Sequence, residues 1–244
     1  MPSSAHIERL FIKPAHGGAM HDTATLPLIA GEGIAGDVNA HRLSVRQVLV
    51  TLASQLQELS IAPGALRENI VIADAALAHF CPGSALVSND VEIRLTMYCE
   101  PCRQISHLHG NLAAMVQRRG VLGTVVTGGV LQIGDALTLI PARYPALPDS
   151  VQQRFVDFVA TIPHGRVVRY RDVALALGVE QSFVRALPAY IKRHRNANTG
   201  LPLHRIVTTH GQLLATLPDQ AAQLAAEGIA CDGGVDLARF LWQG

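Results

Sequence analysis

The chain of 244 residues is 49% hydrophobic and 16% charged, which excludes a disordered protein and predicts one large packed domain or two ordinary ones. Its formal net charge is only +1, so no overall field points to nucleic acid or membrane. Four cysteines are too few for a disulfide scaffold in a chain of this length.

From the start of the chain we do not expect a secretion signal. Met1 is followed by polar and charged residues, where a leader would place a basic segment and then an apolar one. The most apolar stretch, 121–140, is interrupted by Gly128-Gly129 and Asp135, so it does not form a membrane helix. We therefore expect a reduced, cytoplasmic protein without a membrane partner.

Short apolar segments separated by turns predict that the first half is rich in β-strands. The segments are HIERLFI, VRQVLVTL, ENIVIA, ALVSNDVEIRLTMY and GVLGTVVTGGVLQIGDALTLI. Asn89-Asp90 and Gly128-Gly129 are typical of hairpin turns, and Gly134-Asp135 predicts another turn. Helices are expected around 50–59 and 109–118. The pattern as a whole predicts a compact, barrel-like β domain.

Two cysteines and two histidines cluster in the first half. Cys99-Glu-Pro-Cys102 is followed by His107 and His109, so four soft ligands lie within eleven residues. Zinc is one interpretation, but the ligands are too crowded for the usual finger loop. A redox-active cysteine pair is another, although no helix start or βαβ unit frames the two thiols.

A proline-rich segment, IPARYPALPDS (140–150), divides the chain. It holds three prolines in eight residues, and each proline restricts both itself and its predecessor to extended conformations. We therefore expect one domain over 1–144 and a second over 150–244.

The hydrophobic spacing becomes helical after this linker. Ser150 can cap a helix. The apolar positions of that helix share one face: Val151, Phe155, Phe158 and Val159. Pro163-His164-Gly165 predicts a turn into a short strand, RVVRY, and RDVALALG predicts a helix that ends at Gly178.

Ser182 can cap a further helix that runs through FVRALPAYIKRHR. Two short helices with a tight turn between them, the second one basic, are the outline of a helix-turn-helix. Residues 154–210 carry 9 basic and 3 acidic residues, a local net charge of +6. The basic excess therefore lies where a polyanion would be bound.

Six motifs of the first half together point to a known module. They are GIAGD (33–37), RQVLV (46–50), PGALRENIVI (63–72), PGSALV (82–87), CEPC (99–102) and RRGVLGTVVTGGVLQIGD (118–135). Over about 5–140 the chain closely resembles the MOSC domain, which ends molybdenum-cofactor sulfurases and also occurs alone in bacterial proteins. The resemblance implies a β-strand-rich fold. It also implies molybdenum ion, molybdenum cofactor and pyridoxal phosphate binding as family associations, with molybdopterin or a molybdoenzyme as the partner of 1–144.

The resemblance assigns the family's Pro-Cys thiol to Cys102, as a sulfur carrier or as a metal ligand. A thiolate suits both roles, because it is soft enough for molybdenum and nucleophilic enough for a persulfide. Arg103 beside it should favour the thiolate. The candidates for binding an anionic cofactor are Arg46, Arg67, Asn69 and Arg119. Alternatively, Arg67-Glu68-Asn69 only fixes a turn.

The second half carries five motifs in a fixed order: FVATIPHGRVVRYRDVALALG, RAL, LPLHRIV, HGQL and AAEGI. Over about 150–230 this order and spacing resemble the alkylguanine-DNA alkyltransferases. The central motif of that family is Pro-Cys-His-Arg-Val, and its Cys accepts an alkyl group from a flipped guanine. The resemblance places His204 and Glu227 where the family has the His and Glu that activate the thiol. The Cys position is Leu203.

Leu203 has no sulfur, so alkyl transfer to this position is excluded on chemical grounds. Alkyltransferase-like proteins form a branch that lacks the Cys, commonly with Trp in its place, and that binds alkylated bases without repairing them. The resemblance therefore implies a base pocket formed by Leu203, His204, Arg205 and Glu227. Alternatively, His204 is a hydrogen-bonded core histidine.

The resemblance also implies residues that contact duplex DNA with an alkylated guanine. Tyr170 matches the Tyr that helps to rotate the nucleotide, and Arg185 matches the Arg that replaces the flipped base in the stack. Candidates for phosphate contacts are Lys192, Arg193 and Arg195, and Asn196 or Asn198 matches the loop Asn. The alternative is that KRHR is a solvated helix end.

Two positions depart from the family pattern. Pro188 lies where the recognition helix usually has Gly, and a proline inside a helix is expected to kink its axis. The segment after Gly211 lacks the Gly and Lys pattern of the family's wing.

The expected fold class is α+β, with a β-rich, barrel-like MOSC domain followed by a mainly helical domain similar to a winged helix-turn-helix. Two function classes follow. In the first, the protein handles molybdenum cofactor or sulfur through Cys102 and carries a DNA-binding or vestigial appendage. In the second, it is a binding or scaffold protein in the response to damaged or modified DNA, to which the MOSC half adds detoxification of modified bases.

Overall fold

The computed structural model describes residues 3–73, 79–102 and 105–244. The chain divides into two compact units, 1–147 and 148–244. No helix in these described ranges is long and apolar enough to cross a membrane. The predicted α+β class is confirmed, because the first unit is built on β-strands and the second mainly on helices.

The strands of the first unit are β1 (Ser3–Ile12), β2 (His21–Thr23), β3 (Thr25–Ile29), β4 (Gly33–Ile34), β5 (Val48–Leu52), β6 (Ile70–Ala73), β7 (Ala85–Ser88), β8 (Val91–Tyr98), β9 (Val121–Thr127), β10 (Gly129–Gln132) and β11 (Ala136–Ile140). In the described part of the chain, seven of them close into a barrel in the order β11-β7-β8-β9-β5-β6-β1, since β11 also pairs with β1. The barrel pairings are antiparallel except for β5 with β6. The predicted barrel is confirmed.

The barrel core comes from the alternating inward side chains that the apolar segments supply. Ile7, Ile72 and Leu95 are among the fully buried ones. A smaller sheet in the order β10-β3-β4 adds Leu26 and Leu131 to the same core. Alternation along the strands, with one face apolar, therefore fixes which side of the sheet is inside.

One of the two predicted hairpin turns is confirmed and the other is wrong. Asn89-Asp90 joins β7 to β8, and Asn89 has a φ of +49°, as a tight turn requires. Gly128-Gly129 does not make a hairpin, because β10 pairs with β3 and not with β9. The chain leaves the barrel at Gly128, where a Cβ atom would lie 2.7 Å from the carbonyl oxygen of Leu28.

The two helices predicted in this unit are shorter than expected. Residues 48–52 form the fully buried strand β5, and only Ala53–Glu58 forms a helix, α1. A continuous apolar run buried on both faces has no alternation to distinguish it from a helix. The segment 109–118 holds a short 3-10 helix, Leu112–Met115, which begins where the Asn111 side chain accepts the Ala113 N–H.

The second unit contains the helices α2 (Val151–Thr161), α3 (Tyr170–Ala176), α4 (Leu187–Asn196), α5 (Gln220–Ala226) and α6 (Leu237–Phe240), and the strands β12 (Val168–Arg169) and β13 (Ile206–Val207). Ser150 caps α2 as predicted, because its side chain accepts the Gln153 N–H. Phe155 of α2 is fully buried and stacks on the His194 ring with centroids 5.4 Å apart. The turn at Gly165 and the helix end at Gly178 are also confirmed.

The predicted strand RVVRY is shorter than expected. Only Val168 and Arg169 form the strand, which pairs in parallel with β13, and Tyr170 already begins α3. Asp172 ends the strand, because its carboxylate accepts the Arg169 N–H at 3.0 Å and the Arg169 Nε–H at 2.7 Å. This local capping by an Arg and an Asp three residues apart begins the helix.

The predicted continuous helix from Ser182 is wrong, and so is the predicted kink at Pro188. A 3-10 helix, Gln181–Arg185, begins after Glu180 and is followed by α4. Pro188 lies in the first turn of α4, where its missing N–H would have no partner within the helix. The proline therefore starts the basic helix without bending it. The described residues 208–219 form no strand, so no β-wing follows Gly211.

Candidate functional sites

Two side chains and one backbone N–H of the second unit meet at the carboxylate of Glu227, which follows α5. His204 Nε2 lies 2.7 Å from Glu227 Oε1. Arg205 donates through Nε to both carboxylate oxygens, at 3.0 and 3.1 Å, and through Nη2 to Oε1 at 2.7 Å. The Gly165 N–H donates to Oε2 at 2.9 Å. The 3-10 helix Leu203–Arg205 thus presents two consecutive side chains to one carboxylate.

These donors hold Glu227 in its ionised form. Burial alone would raise the pKa of Glu227, but the hydrogen bonds from Arg205, His204 and the Gly165 N–H outweigh it and bring the pKa to about 2. An ionised carboxylate only accepts, so His204 Nε2 must be the donor. In the neutral imidazole the other ring nitrogen of His204, Nδ1, is then an acceptor.

A cavity of about 430 Å³ lies next to this cluster. Its size falls in the range of about 300–1,000 Å³ that is usual for sites of small organic molecules. Leu203, His204 and Arg205 contribute to its wall. Other lining residues are Arg195, Leu217 and Gln223. Three of the four residues predicted to form a base pocket therefore line one cavity. The fourth, Glu227, holds His204 and Arg205 in place by hydrogen bonds.

The ionised Glu227 should make the second unit sensitive to acid. Because its pKa falls from the ordinary 4.5 to about 2, its stabilising contribution is present above about pH 4.5 and is lost as the pH drops toward 2. At neutral pH we expect it to contribute about 3 kcal/mol. Glu227→Gln should remove this contribution, which denaturant unfolding followed by Trp242 fluorescence at pH 7 and pH 3 can measure.

Asp232→Asn is the matched control, since Asp232 is exposed in the same unit. Its unfolding should follow that of the wild type at both values of pH. An E227Q variant as stable as the wild type at pH 7 would contradict the assignment.

In the first unit, Arg119 lies beside Cys102. Its Nη1 donates to the Glu100 carbonyl oxygen at 2.6 Å and lies 3.4 Å from Cys102 Sγ. Its Nη2 reaches the Leu66 carbonyl oxygen at 3.4 Å. Arg119 is only 5% exposed, and its Nε has no hydrogen-bond partner among the described residues. A buried cation with a spare donor therefore faces a half-buried thiol.

Arg103, the cation expected beside Cys102, lies outside the described residues. In the described part of the chain, Arg119 is the cation placed at the thiol. The glycine of the motif RRG (118–120) explains how Arg119 reaches its position beside the thiol of Cys102. Gly120 has a φ of +102°, and a Cβ atom at this position would lie 2.3 Å from the Val50 carbonyl oxygen. Only glycine allows the close backbone approach that puts Arg119 inside the barrel end.

Glu68 is a site residue that the sequence did not reveal. It is fully buried, and its Oε1 accepts the Gly64 N–H at 2.5 Å while Oε2 has no partner among the described residues. Burial raises the pKa of Glu68, although hydrogen bonds from its own, the Gly64 and the Leu66 N–H groups and the charge of Arg119 act against it. The sequence signal was a carboxylate two residues before the buried strand β6.

Asn69 is predicted to bind cofactor, but its side chain is fully used within the barrel. It is 3% exposed, and its Nδ2 donates to the Phe11 carbonyl oxygen and to Asp37, both at 3.2 Å. Its Oδ1 accepts the Leu49 N–H at 3.0 Å. These contacts support the alternative that Asn69 fixes the local structure. Arg46 and Arg67 are both half-buried, and Arg67 has a φ of +65°.

Comparison with known proteins matches each unit separately. The model of the MOSC domain matches residues 36–138, and the model described as 6-O-methylguanine DNA methyltransferase, DNA binding domain, matches 150–229. A curated relative, the DNA base-flipping protein of Escherichia coli strain K12, is 39% identical over 99 residues, which are 38% of this chain and 75% of the relative. The chain belongs to both families. It is a MOSC domain fused to an alkylguanine-DNA alkyltransferase-like domain.

Two solved structures align with parts of the chain. The YUAD protein from Bacillus subtilis is similar in fold, with a TM-score of 0.51 at 17% identity, covering 57% of this chain and 97% of that one. S. pombe Atl1, solved in complex with damaged DNA containing O6-carboxymethylguanine, aligns at 24% identity with a TM-score of 0.35, covering 40% of this chain and 99% of that one.

The predicted DNA-contacting residues of the alkyltransferase-like domain fall into two groups, according to whether their side chains are hydrogen-bonded within the chain. Arg193 and Arg195 are held within the chain, by Gln152 Oε1 at 2.6 Å and by the Thr216 carbonyl oxygen at 2.7 Å. Arg185 and Lys192 are exposed and make no hydrogen bond or ion pair with any described residue. Tyr170 is half-buried at the start of α3, and burial raises its pKa.

His194 is a second residue that the sequence analysis missed. It is 6% exposed, its Nε2 lies 2.8 Å from Gln152 Nε2, and it contributes to the cavity wall. Burial lowers the pKa of His194, and the charge of Arg193 adds to the effect. Its spacing from Leu187 and Ile191 places it on the buried face of α4, which the basic run KRHR concealed. Asn196 and Asn198, the two candidates for the loop Asn, are both exposed.

The four cysteines of the chain have different surroundings. Cys99 packs against Leu49 and Leu122, whereas Cys102 packs against a different apolar cluster, and neither is in a disulfide. Burial raises the pKa of both Cys99 and Cys231. Cys81 is half-buried, 3.8 Å from the Ser84 hydroxyl.

The zinc interpretation of Cys99, Cys102, His107 and His109 gains no support from the structure. No three His, Cys, Asp or Glu side chains within residues 3–73, 79–102 and 105–244 are grouped to hold a metal ion. His109 Nδ1 instead lies 2.9 Å from the Asn111 carbonyl oxygen.

Proposed function

We propose that the alkyltransferase-like domain binds duplex DNA and accommodates a modified guanine in the cavity beside Leu203, without transferring the alkyl group. The cavity itself carries the proposal, because its wall combines an apolar side chain with polar groups of fixed orientation. The relative named a DNA base-flipping protein supports the same mode of binding. Among the residues that the structure describes, no cysteine lines the cavity, so the base is bound and not repaired.

Each residue of the site has a role in this proposal. Leu203 offers an apolar contact to the alkyl substituent. Burial of this apolar group against an apolar side chain removes it from water, which is favourable. His204 presents Nδ1 to the base, since its Nε2 is committed to Glu227. Arg185 enters the stack in place of the flipped base, and its freedom from other described partners leaves it available. Tyr170 helps to turn the nucleotide, and Lys192 contacts phosphate.

For the MOSC domain we propose a molybdenum-cofactor or sulfur-handling site at Cys102. The MOSC family is associated with the molybdenum cofactor. The donor set of this chain fits such a group, because a thiolate is a soft ligand and the unpartnered Nε of Arg119 is a buried donor for an anion. When bound, the group would supply redox or sulfur-transfer chemistry at the metal. Cys102 would hold it, while Arg119, Arg46 and Arg67 would orient its anionic part.

The composition of the purified full-length protein tests this function directly. Protein produced with molybdate in the medium should contain molybdenum and a pterin, and Cys102→Ser should lose the metal. Fully folded wild-type protein that contains neither molybdenum nor a pterin would favour the second function class, a binding or scaffold protein for modified DNA. The missing nucleophile at Leu203 is the observation that favours this second candidate.

A related prediction concerns the reactivity of the thiols. Iodoacetamide should label Cys102 of the native protein before Cys81, Cys99 and Cys231, because the guanidinium of Arg119 lies 3.4 Å from the Cys102 sulfur and a neighbouring cation is typical of reactive cysteines. Arg119→Met should slow this labelling, which peptide mapping by mass spectrometry can follow. Arg118→Met is the matched control, since Arg118 is paired with Glu58 on the surface. Labelling of Cys81 first, with Cys102 untouched, would refute the prediction.

A further inference from the structure

His194 is a buried polar side chain of α4, and its imidazole ring is held by two residues of α2. The ring is 6% exposed and stacks on Phe155, with centroids 5.4 Å apart and an angle of 28° between the planes. At its edge, Nε2 lies 2.8 Å from Gln152 Nε2. Phe155 and Gln152 together fix the orientation of the ring.

The contact with Gln152 determines which ring nitrogen carries the proton. Arg193 Nη1 donates to Gln152 Oε1 at 2.6 Å, and because an arginine can only donate, this contact assigns the amide oxygen of Gln152. The amide nitrogen of Gln152 therefore faces His194 and donates to its Nε2. Since Nε2 accepts, the proton of the neutral ring lies on Nδ1.

The surroundings of His194 favour this neutral form. Burial lowers the pKa of His194 from its ordinary value, and the charge of Arg193 lowers it further. A proton on Nε2 would also point at the amide N–H of Gln152, donor against donor. The ring of His194 thus has a single N–H donor, at Nδ1.

This Nδ1–H has no hydrogen-bond partner among the described residues. A buried donor without an acceptor costs free energy, so its presence calls for an explanation. His194 lines the same cavity as Leu203 and His204. The Thr199 hydroxyl donates to the His194 carbonyl oxygen at 3.3 Å and joins another part of the cavity wall to α4. A ligand bound in this cavity is the available source of the missing acceptor.

Alkylation at O6 changes the hydrogen-bonding character of guanine at its ring nitrogen N1. In guanine, N1 carries a proton and donates. When O6 carries an alkyl group, N1 has no proton and accepts. A fixed N–H donor that faces N1 therefore binds the alkylated base and opposes the unmodified one, which is discrimination by attraction and repulsion at the same atom.

We propose that His194 is a specificity-determining residue of the cavity, and that its Nδ1–H donates to N1 of a flipped O6-alkylguanine. The class of ligand is then a purine that has no proton at N1. This inference rests on the proposed DNA-binding function of the second unit, and it adds the group that distinguishes the modified base from guanine.

Two modified duplexes test this contact. One carries O6-methylguanine and the other its 1-deaza analogue, in which a C–H group replaces N1. Each modified base lies opposite an abasic site, so that base pairing does not differ between the duplexes. In anisotropy titrations, full-length wild-type protein should bind the 1-deaza duplex about tenfold more weakly, as expected when a buried donor is left without its acceptor.

Substitutions of His194 should change this ratio of affinities. His194→Phe should bind both duplexes equally, because a phenyl ring can still stack on Phe155 but has no N–H. His194→Asn should retain part of the difference, since the amide nitrogen of asparagine can take the position of Nδ1. His164→Phe is the matched control, because His164 is an exposed histidine of the same unit, and it should keep the wild-type ratio. Unfolding curves verify that each variant is folded.

A ratio in H194F equal to that of the wild type would overturn the inference. Wild-type protein that prefers O6-methylguanine to guanine, but does not distinguish the 1-deaza analogue, would also overturn it and would leave the proposed function intact. Wild-type protein with no preference for O6-methylguanine over guanine would reject the proposed function itself.

The position of the ring proton can be measured without DNA. In ¹⁵N–¹H correlation spectra of the imidazole groups of the full-length protein, the signals of His194 are those that disappear in H194F. They should show the proton on Nδ1. A proton on Nε2 would overturn the inference, whatever the binding titrations give.

Discussion

Incubation with duplex DNA that contains O6-methylguanine should leave the wild-type protein at its unmodified mass. Transfer requires a sulfur that attacks the alkyl carbon, forms the S–C bond and breaks the O–C bond, so that the guanine leaves as its anion and takes a proton. Leu203 offers only saturated carbon at this position. Intact-mass spectrometry after incubation to saturation measures the outcome, and stable alkylation at any residue of the cavity would contradict it.

Leu203→Cys should gain slow, single-turnover transfer. His204 and Glu227 are already hydrogen-bonded at 2.7 Å, so the groups that would take the thiol proton are in place. Transfer should be slow because position 203 is only 6% exposed, so a thiol there is poorly accessible to the alkyl carbon. The double variant L203C/E227Q should lose the gained activity.

Leu201→Cys is the matched control for this gain, because Leu201 lines the same cavity but precedes the 3-10 helix that carries His204. A thiol there should remain unalkylated. Equal transfer by L201C and L203C would show that any thiol in the cavity suffices, and would remove the argument for a retained relay.

The sequence predicted the barrel and the helical unit because both depend on hydrophobic spacing. The sequence-based prediction failed where the hydrophobic spacing does not distinguish a strand from a helix or show which strands pair. The strand Val48–Leu52 is buried on both faces and looks the same as a helix start. The turn at Gly128 was misassigned because sequence shows a glycine pair but not that the backbone of Leu28 passes within 2.7 Å of a Cβ there.

The sites were predicted in part, for a related reason. Motif positions led to Cys102, His204 and Glu227, but the partners that tune them come from distant segments. Arg119 contacts Cys102 across 17 positions and His204 contacts Glu227 across 23.

Full-length protein should bind short duplex DNA in low salt, with a preference for a duplex that carries O6-methylguanine. The net charge of +6 over residues 154–210 supplies the part of the affinity that does not depend on the lesion. This part must weaken as salt rises, on the order of a hundredfold or more between about 50 and 200 mM when several phosphates are contacted. Anisotropy titrations on matched duplexes, with and without the modified base, measure both terms.

Arg185→Ala and Lys192→Ala should separate these two terms. Without Arg185, the gap that the flipped base leaves in the stack is not filled. We therefore expect the ratio of the affinities for the modified and the unmodified duplex to fall to about one. Binding of the modified duplex should lose a few kcal/mol. Without Lys192, both duplexes should bind more weakly by a similar factor, and the slope of log affinity against log salt should flatten by about one unit. Both side chains are exposed and unpaired among the described residues, so neither substitution disturbs the fold.

Arg42→Ala is the charge-matched control, because Arg42 is an exposed residue of the MOSC domain paired with Glu32. It should change neither the preference nor the salt slope. Pro188 lies in the first turn of α4, so a kink at this proline would not account for a failure to bind. If neither duplex binds at low salt, the second unit is a scaffold. If R185A keeps the full preference, the base is recognised without Arg185 entering the stack, and the cavity at Leu203 must supply the discrimination alone.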